Sequence, residues 1–378
     1  MRFLFFNGGY LSAVPSGGDR HLLALATALA EHAAVESVRF VAPRLAGSWL
    51  GSKVEARLYD SGLPRTTVGA MLGYLWRALR AALALLRGPL RNEEKSAPSA
   101  LVLCSPGLVD LLPAFFHRWL YGSRIGVFAF HIGNVGATGR LHRPFQALVS
   151  GLASAPMIFL LRRADLVLTA TATVEQHLLD LGISPGRLAR QLPIVEVEAI
   201  RAAPPVPASD VLFVGRWVAR KGVLDLLDAA SLTDLCFDLV GAGEEEQQLR
   251  DRIRNEGLED RVHLVGPLDD TALFGRMKGA RALVLPSYEE GYGLVVAEAL
   301  AAGTPAVVYA LPHYEEVFGE AVVEVPLGNT EALARALEQA VEKGRANPEI
   351  LPRGLLTASA AADQLVELAA GSSPTSAD

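Results

Sequence analysis

Short apolar runs alternate with longer segments of helical periodicity along the whole chain. Continuous apolar runs are typical of strands that are buried on both faces of a sheet. The predicted strands are Phe3–Phe6, Val38–Val41, Leu101–Cys104, Ile125–Phe130, Leu166–Thr169, Val211–Val214, Cys236–Val240, Val262–Val265, Ala282–Leu285 and Ala306–Tyr309. The predicted helices between them are His21–Glu31, Gly107–Leu120, Val174–Leu181, Leu224–Ala230, Glu244–Asn255, Thr271–Arg276, Val295–Ala302 and Thr330–Glu342. This alternation predicts an α/β fold with parallel sheets covered by helices on both faces.

A proline-rich segment, Ala202–Ser209, divides the chain into two blocks that repeat the same scheme. The 378 residues also exceed what one hydrophobic core usually supports. We therefore predict two Rossmann-like domains, residues 1–203 and 204–370, with a disordered tail at 371–378. The last helix, about residues 355–370, is a candidate to pack back on the N-terminal domain. Ligands of such sheets bind beyond the carboxyl ends of the strands, so we expect the site in a cleft between the two domains.

Charge is distributed unevenly along the chain. Up to Pro205 there are 21 Lys and Arg against 13 Asp and Glu, whereas the remainder has 14 basic and 28 acidic residues, which gives the net charge of −6. A basic first half suits an anionic acceptor or the anionic face of a membrane. A simple drift of surface charge between domains is the alternative. No nucleic-acid partner is expected.

The two cysteines, Cys104 and Cys236, are far apart, which argues against a disulfide framework and favours a reducing compartment. The N-terminal apolar run is too short for a signal peptide, and no stretch reaches the length of a membrane span. Phe145–Leu161 comes closest, and we interpret it as a helix or helix pair that packs on the core or on a membrane surface. The predicted location is cytoplasmic, with the inner face of the membrane as a further possibility.

The strongest candidate site follows the predicted strand that ends at Leu285. Glu290 lies in a glycine-containing loop and Glu298 in the helix after it. A carboxylate can accept two hydrogen bonds at once, which suits vicinal hydroxyls of a sugar or ribose. The amides at the helix start can bind phosphate or sugar oxygens, and they belong to Gly291, Tyr292, Gly293 and Leu294. The alternative is that both acids are ordinary residues of a helix start.

A second cluster follows the first strand of the second half. Arg216 and Lys221 lie on a loop that leads into a helix, whereas Arg220 is expected to face solvent. A guanidinium and an ammonium at the carboxyl end of a strand can neutralise a diphosphate leaving group without a metal. The alternative is a solvated basic loop.

Weaker signals extend the site to other loops. The turn at Gly17 and Gly18 precedes a helix but lacks the dinucleotide-binding glycine pattern. His131 follows a predicted strand, where it could hydrogen-bond a sugar or an acceptor, although a lone histidine is usually structural. Gly243 and Val265 follow or end strands in the second half and could lie near the nucleotide, or Gly243 could only turn the chain.

Taken together, these motifs resemble family 4 retaining glycosyltransferases of the GT-B fold. The similarity rests on the order Gly-Arg-x4-Lys-Gly, Gly-x-Gly-Glu, Val-x-x-x-Gly and Pro-Ser-x-x-Glu-Gly-Tyr-Gly, with the two glutamates eight positions apart, and it runs from about Val211 to Glu342. The resemblance implies an acceptor-binding N-terminal domain and a C-terminal domain that binds a nucleotide-diphosphate sugar.

The resemblance also implies residue roles. Arg216 and Lys221 would hold the donor diphosphate, Glu298 the ribose and Glu290 the transferred sugar. His131 would lie near the sugar and acceptor. The implied reaction is hexosyl transfer with retention, from UDP or GDP, without metal or other cofactor, to a glycan, lipid-linked or small hydroxyl acceptor. A nucleotide-sugar hydrolase or epimerase, or a non-catalytic partner subunit of a glycosyltransferase, remains an alternative reading of the same motifs.

Overall fold

The computed structural model describes residues 1–7, 17–44, 54–59, 76, 79–85, 99–129, 155–348 and 355–371. The chain forms two compact units. The first unit combines Met1–Ile194 with Leu356–Asp378, and the second is Val195–Leu355.

A parallel sheet of seven strands forms the first unit, in the order β3-β2-β1-β4-β5-β6-β7. Its strands are β1 (Arg2–Phe6), β2 (Ser37–Pro43), β3 (Glu55–Tyr59), β4 (Ser99–Leu103), β5 (Arg124–Phe128), β6 (Leu166–Thr169) and β7 (Leu188–Arg190). The helices are α1 (Gly17–Glu31), α2 (residues 79–85), α3 (Leu108–Tyr121), α4 (residues 155–161), α5 (Ala172–Asp180) and α13 (Ala358–Ala370).

Alternate residues of the central strands are buried in two separate cores, because successive side chains of a strand point to opposite faces. Phe3 and Phe5 pack with α1 and α13 on one face. Leu4 and Phe6 pack on the other face with buried residues of α2, α3, α4 and α5. Both faces of the sheet are therefore covered, as the apolar runs predicted.

The second unit has a parallel sheet in the order β10-β9-β8-β11-β12-β13. Its strands are β8 (Val211–Val214), β9 (Phe237–Val240), β10 (Val262–Gly266), β11 (Ala282–Leu285), β12 (Ala306–Tyr309) and β13 (Val322–Val325). Its helices are α6 (Val197–Ala202), α7 (Asp225–Ser231), α8 (Glu246–Asn255), α9 (Asp270–Gly279), α10 (Leu294–Ala301), α11 (Tyr314–Phe318) and α12 (Thr330–Lys343). Both sheets have the doubly wound strand order, so the predicted fold class of two Rossmann-like domains is confirmed.

The predicted strands are all present within one or two residues. Three further strands of the described residues were not predicted. The missed strands β3, β7 and β13 are all edge strands of their sheets. They carry polar residues that interrupt the apolar run. β13, for example, exposes Val323 and Glu324. Such strands lack the continuous apolar signal of a fully covered strand.

The division between the units differs from the predicted one after residue 203. The chain passes into the second unit at Val195, because α6 packs against α9 and α10. The proline segment also belongs to this unit, since the Val206 amide donates to the Gly275 carbonyl at 2.9 Å. The chain returns to the first unit at Leu356, which forms a parallel bridge with Ile194, and α13 then packs against α1.

No helix within the described ranges is long and apolar enough to cross a membrane. Of the apolar segment 145–161, the structure describes the last part, which is α4 and which buries Leu161. The tail 372–378 lies outside the described residues.

Candidate functional site

Both strong motifs lie at the carboxyl edge of the second sheet, after two neighbouring strands. β8 leads into the loop with Arg216 and Lys221, and β11 leads into the loop with Glu290. From β8 the chain continues to β9 on one side, and from β11 it continues to β12 on the other side. Ligands of doubly wound sheets bind at such a reversal of strand order.

The two loops contact each other through an ion pair. The Lys221 ammonium donates a hydrogen bond to Oε1 of Glu290, and the buried Ser287 hydroxyl donates to the same oxygen at 2.9 Å. Only 14% of the Lys221 side chain and 12% of the Glu290 side chain are exposed. The structure thus brings together a cation and an acid that are 69 residues apart in sequence.

Glu290 is ionised in this environment. Burial raises the pKa of its carboxyl, but the charge and hydrogen bond of Lys221, the Ser287 hydroxyl and the nearby Arg220 together hold the pKa below its ordinary value. The carboxylate therefore acts as a hydrogen-bond acceptor at neutral pH.

Arg220 is the site residue that the sequence interpretation placed wrongly. It is half-buried, and burial and the neighbouring Arg216 lower the pKa of its guanidinium, while Glu290 and Glu289 act in the opposite direction. Within the described part of the chain, neither Arg216 nor Arg220 has an ion-pair partner. Three cations therefore lie close together in an otherwise acidic half of the chain. The basic run itself was the available signal, since Arg220 directly precedes Lys221.

Gly222 makes the contact between the two loops possible. Its φ is +64°, and a Cβ atom at this position would lie 2.0 Å from the Pro286 carbonyl oxygen. The amide of Tyr288 also donates to the Arg220 carbonyl at 2.9 Å. The two loops are thus joined through their backbones, and this places Lys221 beside Glu290.

Gly243 has a packing role of the same kind. A Cβ atom there would lie 2.1 Å from the Trp217 carbonyl oxygen, and the Trp217 amide donates to the Ala242 carbonyl at 2.9 Å. The loop after β9 is thereby held against the loop after β8. Its glycine is explained without a ligand, and a nucleotide contact at Gly243 stays a prediction.

The N-terminus of α10 forms the remaining side of the site. Gly293 precedes the helix with φ +91° and, as a glycine, has no side chain with which to cap it. The first helical amides, beginning with Leu294, therefore keep their capacity to donate. Glu298 lies about one turn into the same helix and is half-buried. Two buried hydroxyls in this region, those of Tyr292 and Tyr314, have no hydrogen-bond partner among the described residues.

A tyrosine pair holds the loop after β11 in place. Asp225, in the first turn of α7, accepts hydrogen bonds from the hydroxyls of Tyr288 at 2.6 Å and Tyr309 at 2.8 Å. Burial and Asp225 raise the pKa of Tyr309. Sequence reasoning missed Asp225, because an acid in the first turn of a helix is common and carries no distinguishing signal.

The weaker predicted positions are dispersed. Gly17 and Gly18 open α1 in the first unit. Burial, Asp110 and, least, Asp19 beside these glycines raise the pKa of the Cys104 thiol. Val265 lies in β10, two strands from β8. His131 lies outside the described residues.

The comparisons identify the second unit. Residues 194–351 match the family model described as "Glycosyl transferases group 1". These residues are a group 1 glycosyltransferase domain. The match covers the cation loop, the Glu290 loop and α10, so the expected family is confirmed for the domain that carries the site.

Two curated relatives match part of the chain. Glycogen synthase from Mycobacterium tuberculosis is 30% identical over 187 residues, which is 45% of this chain and 41% of that protein. Phosphatidyl-myo-inositol mannosyltransferase from Mycobacterium leprae is 37% identical over 125 residues, 30% of this chain and 33% of that protein. The chain thus spans well under two thirds of the length of these relatives.

Solved structures match the whole chain. Sucrose-phosphate synthase from Thermosynechococcus elongatus has a TM-score of 0.75 at 20% identity and covers 98% of both chains. HepE from Anabaena, in complex with UDP and glucose, has a TM-score of 0.66 at 16% identity and covers 99% of this chain and 96% of that one. At such identities these matches show the fold alone, and it is the GT-B fold.

Proposed function

We propose that the protein is a glycosyltransferase that moves a hexosyl group from a UDP- or GDP-linked sugar to a hydroxyl acceptor. One observation carries the proposal. Arg216, Arg220 and Lys221 cluster beside Glu290 at the strand-order reversal of the group 1 domain, next to the uncapped N-terminus of α10. Cations and helix amides suit a diphosphate, and the acids suit sugar hydroxyls.

The ion pair suggests how the donor enters. Lys221 is paired with Glu290. A diphosphate competes for the Lys221 ammonium with its own negative charge, and Glu290 is then released to accept hydrogen bonds from the transferred sugar. Glu298 on α10 accepts from the ribose hydroxyls, and the amides of Gly291, Tyr292, Gly293 and Leu294 donate to phosphate or sugar oxygens.

Leaving-group stabilisation is the main catalytic contribution in this proposal. Charge develops on the diphosphate as the glycosidic bond breaks, and preorganised cations stabilise that charge more than the ground state. We propose that this removes the need for a metal or other cofactor. Transfer proceeds with retention by front-face attack, and the departing phosphate takes the acceptor proton. His131 hydrogen-bonds the sugar or acceptor, and the turn at Gly17 and Gly18 adds amide donors.

The acceptor is proposed to be a glycan, a lipid-linked glycan or a small hydroxyl compound. The names of the two relatives include one glycan and one phosphoinositide, and this supports proposing both kinds of acceptor. We propose that the enzyme acts in the cytoplasm, at the inner face of the membrane, with its basic N-terminal half toward anionic lipid. The charge of the first half supports this placement.

The experiment combines binding with turnover. UDP, GDP and their sugars are screened for thermal stabilisation of the full chain, and the stabilising donor is then tested for transfer to acceptor extracts. We expect one nucleotide diphosphate to stabilise the protein, and Lys221→Ala to lower turnover by on the order of 100-fold. Lys343→Ala, at an exposed position of α12, serves as the control and should leave turnover unchanged.

Each other outcome would indicate a different function for this protein. Release of free sugar without transfer would indicate a hydrolase, and a changed sugar would indicate an epimerase. Absence of stabilisation by every nucleotide would indicate a non-catalytic subunit and would overturn the proposal.

A further inference from the structure

Large apolar side chains are exposed mainly on one part of the first unit. Among the described residues, nine of the thirteen exposed large hydrophobic side chains lie on or beside α2, α3 and α4. The other four are scattered in the second unit. We call the following residues the α2–α4 face: Trp76, Leu79, Leu83, Leu112, Phe116, Trp119, Leu120, Tyr121 and Phe159.

These residues share one side of the sheet. Ala81 of α2, Leu111 of α3 and Leu161 of α4 are buried in the same core cluster, so the three helices cover the same sheet face. The Arg118 guanidinium of α3 also donates to Asp165 at 2.9 Å and to the Arg163 carbonyl at 3.3 Å, just beyond α4. The outer sides of the helices therefore form a common surface of the first unit.

The outer side of α3 is as apolar as its inner side. Leu111 and Ala114 are fully buried, whereas Leu112 and Phe116 are about half exposed and Trp119 is 76% exposed. Phe116 and Trp119 stack with ring centroids 5.7 Å apart. A surface helix normally carries polar residues on its outer side. An apolar outer side therefore indicates that this side contacts another apolar surface.

In α2 the exposed residues form a helical stripe. Trp76, Leu79 and Leu83 are spaced by three and four positions, so they lie on one side of the helix, opposite the buried Ala81 and Leu85. The stripe is therefore a continuous apolar edge rather than single exposed residues.

All charges in these segments are positive apart from one buried acid. The sequence has no Asp or Glu between Ser61 and Asn92, nor between Leu111 and Ala164. Asp110 of α3 is fully buried and accepts a hydrogen bond from Ser105. The acid nearest to these helices beyond this range, Asp165, is paired with Arg118. Apolar residues with arginines among them match the interface of an anionic bilayer in both polarity and charge.

Arginines lie directly beside the exposed aromatic rings. The Arg80 guanidinium lies 5.0 Å from the centre of the Trp76 ring, and that of Arg163 lies 3.6 Å from the centre of the Phe159 ring. Aromatic rings at the level of lipid headgroups, with arginines reaching the phosphates, are typical of membrane interfaces. A second copy of the same face would oppose arginines to arginines, which disfavours self-association.

We propose that the α2–α4 face docks on the surface of an anionic lipid bilayer. Trp119, Phe116 and the α2 stripe insert among the headgroups, while Arg80 and Arg163 contact lipid phosphates. The proposal specifies which surface carries the membrane contact proposed above. It does not depend on sugar transfer, because vesicle binding is measured without donor or acceptor.

The test is cosedimentation of the full chain with vesicles. One set is phosphatidylcholine alone, and the other adds about 30% phosphatidylglycerol as anionic lipid. The apolar variant is Phe116→Ser with Trp119→Ser, and the charge variant is Arg80→Gln with Arg163→Gln. Leu232→Ser is the matched control, because Leu232 is 55% exposed but lies in the second unit.

We expect salt-sensitive binding to the anionic vesicles, a loss of about tenfold or more in both double variants, and no change in Leu232→Ser. Circular dichroism and nucleotide-induced stabilisation show whether the variants remain folded. Failure of the wild-type chain to bind anionic vesicles would overturn the proposal. A dimer that dissociates in the Phe116→Ser, Trp119→Ser variant would assign the face to a second copy instead.

Discussion

At the scale of single residues, the site depends on Glu290, which serves as the counter-ion of Lys221 and is also proposed to bind the sugar. Lys221 and Glu290 neutralise each other, while Arg216 and Arg220 lie nearby without an ion pair among the described residues. Under the proposed function, this surplus of positive charge attracts the donor diphosphate. Arg220 adds to this surplus from a half-buried position, where a charge is screened less than in solvent.

Glu290→Gln tests this shared role. The substitution keeps the size of the side chain but removes its charge, so Lys221 is released to the diphosphate. We expect UDP or GDP to bind at least as tightly as before, while sugar transfer falls by on the order of 100-fold, because the carboxylate no longer accepts from the sugar. Calorimetry with the nucleotide and initial-rate measurements check the two effects separately.

The control is Glu331→Gln, whose side chain is 75% exposed in α12. It should alter neither quantity. Weaker nucleotide binding in Glu290→Gln, with transfer unchanged, would mean that Glu290 orients Lys221 rather than contacting the sugar.

At the scale of elements, the site is made where two loops approach each other, and glycine sets how closely they do so. The loops after β8 and β11 meet at Gly222 and Pro286, and the loop after β9 meets the loop after β8 at Gly243 and Trp217. The tyrosines that bond to Asp225 then fix the loop after β11 against α7. Donor affinity should therefore depend on loop packing as well as on charged groups.

Gly222→Ala tests the loop contact. The new Cβ atom would overlap the Pro286 carbonyl oxygen, so we expect a loss of roughly 2–4 kcal/mol in the free energy of unfolding and much weaker nucleotide binding. Urea denaturation and the nucleotide titration measure the two effects.

Gly257→Ala separates the overlap from backbone strain. Gly257 has φ +66°, close to the +64° of Gly222, but no atom lies within 4 Å of its Cβ position. We expect it to cost only about 1 kcal/mol, from the left-handed backbone, and to leave nucleotide binding intact. Equal effects of the two substitutions would refute the role given to the loop contact.

At the scale of the whole molecule, two buried histidines make the first unit a candidate for acid sensitivity. The first unit buries His21 and His117, and burial lowers the pKa of each to about 4. The Nδ1 atom of His21 accepts the Ile194 amide at 3.0 Å, next to the point where the chain leaves this unit. His117 contacts the Ser123 hydroxyl at 2.9 Å. Both rings are therefore neutral in the folded protein.

Acid should destabilise the first unit through these histidines. Their folded pKa lies below the unfolded value of about 6.5, so the unfolded chain binds protons first and stability falls as the pH drops from about 6.5 toward about 4. We expect each histidine to cost on the order of 2 kcal/mol between pH 7 and pH 5. Urea denaturation of the wild type and of His117→Gln over this range measures the difference. A parallel pH dependence in both proteins would show that His117 does not contribute.

The sequence by itself determined the strands that are apolar throughout, the helices between them, the fold class and the motifs of the group 1 domain. Apolar strands between amphipathic helices leave few topologies, and the residues after β8 and β11 are contiguous motifs that can be read directly. Hydrophobic pattern is a local property, and these features depend on local pattern.

Tertiary structure decided what depends on distant residues. The pairing of Lys221 with Glu290, the burial of Arg220 and the bonds of Asp225 to two tyrosines join residues far apart in sequence. The unit boundary at Ile194 and the exposure of Trp119 are of the same kind. Whether a side chain is covered depends on which elements pack around it, and an apolar helix has the same sequence pattern whether its outer side is buried or exposed.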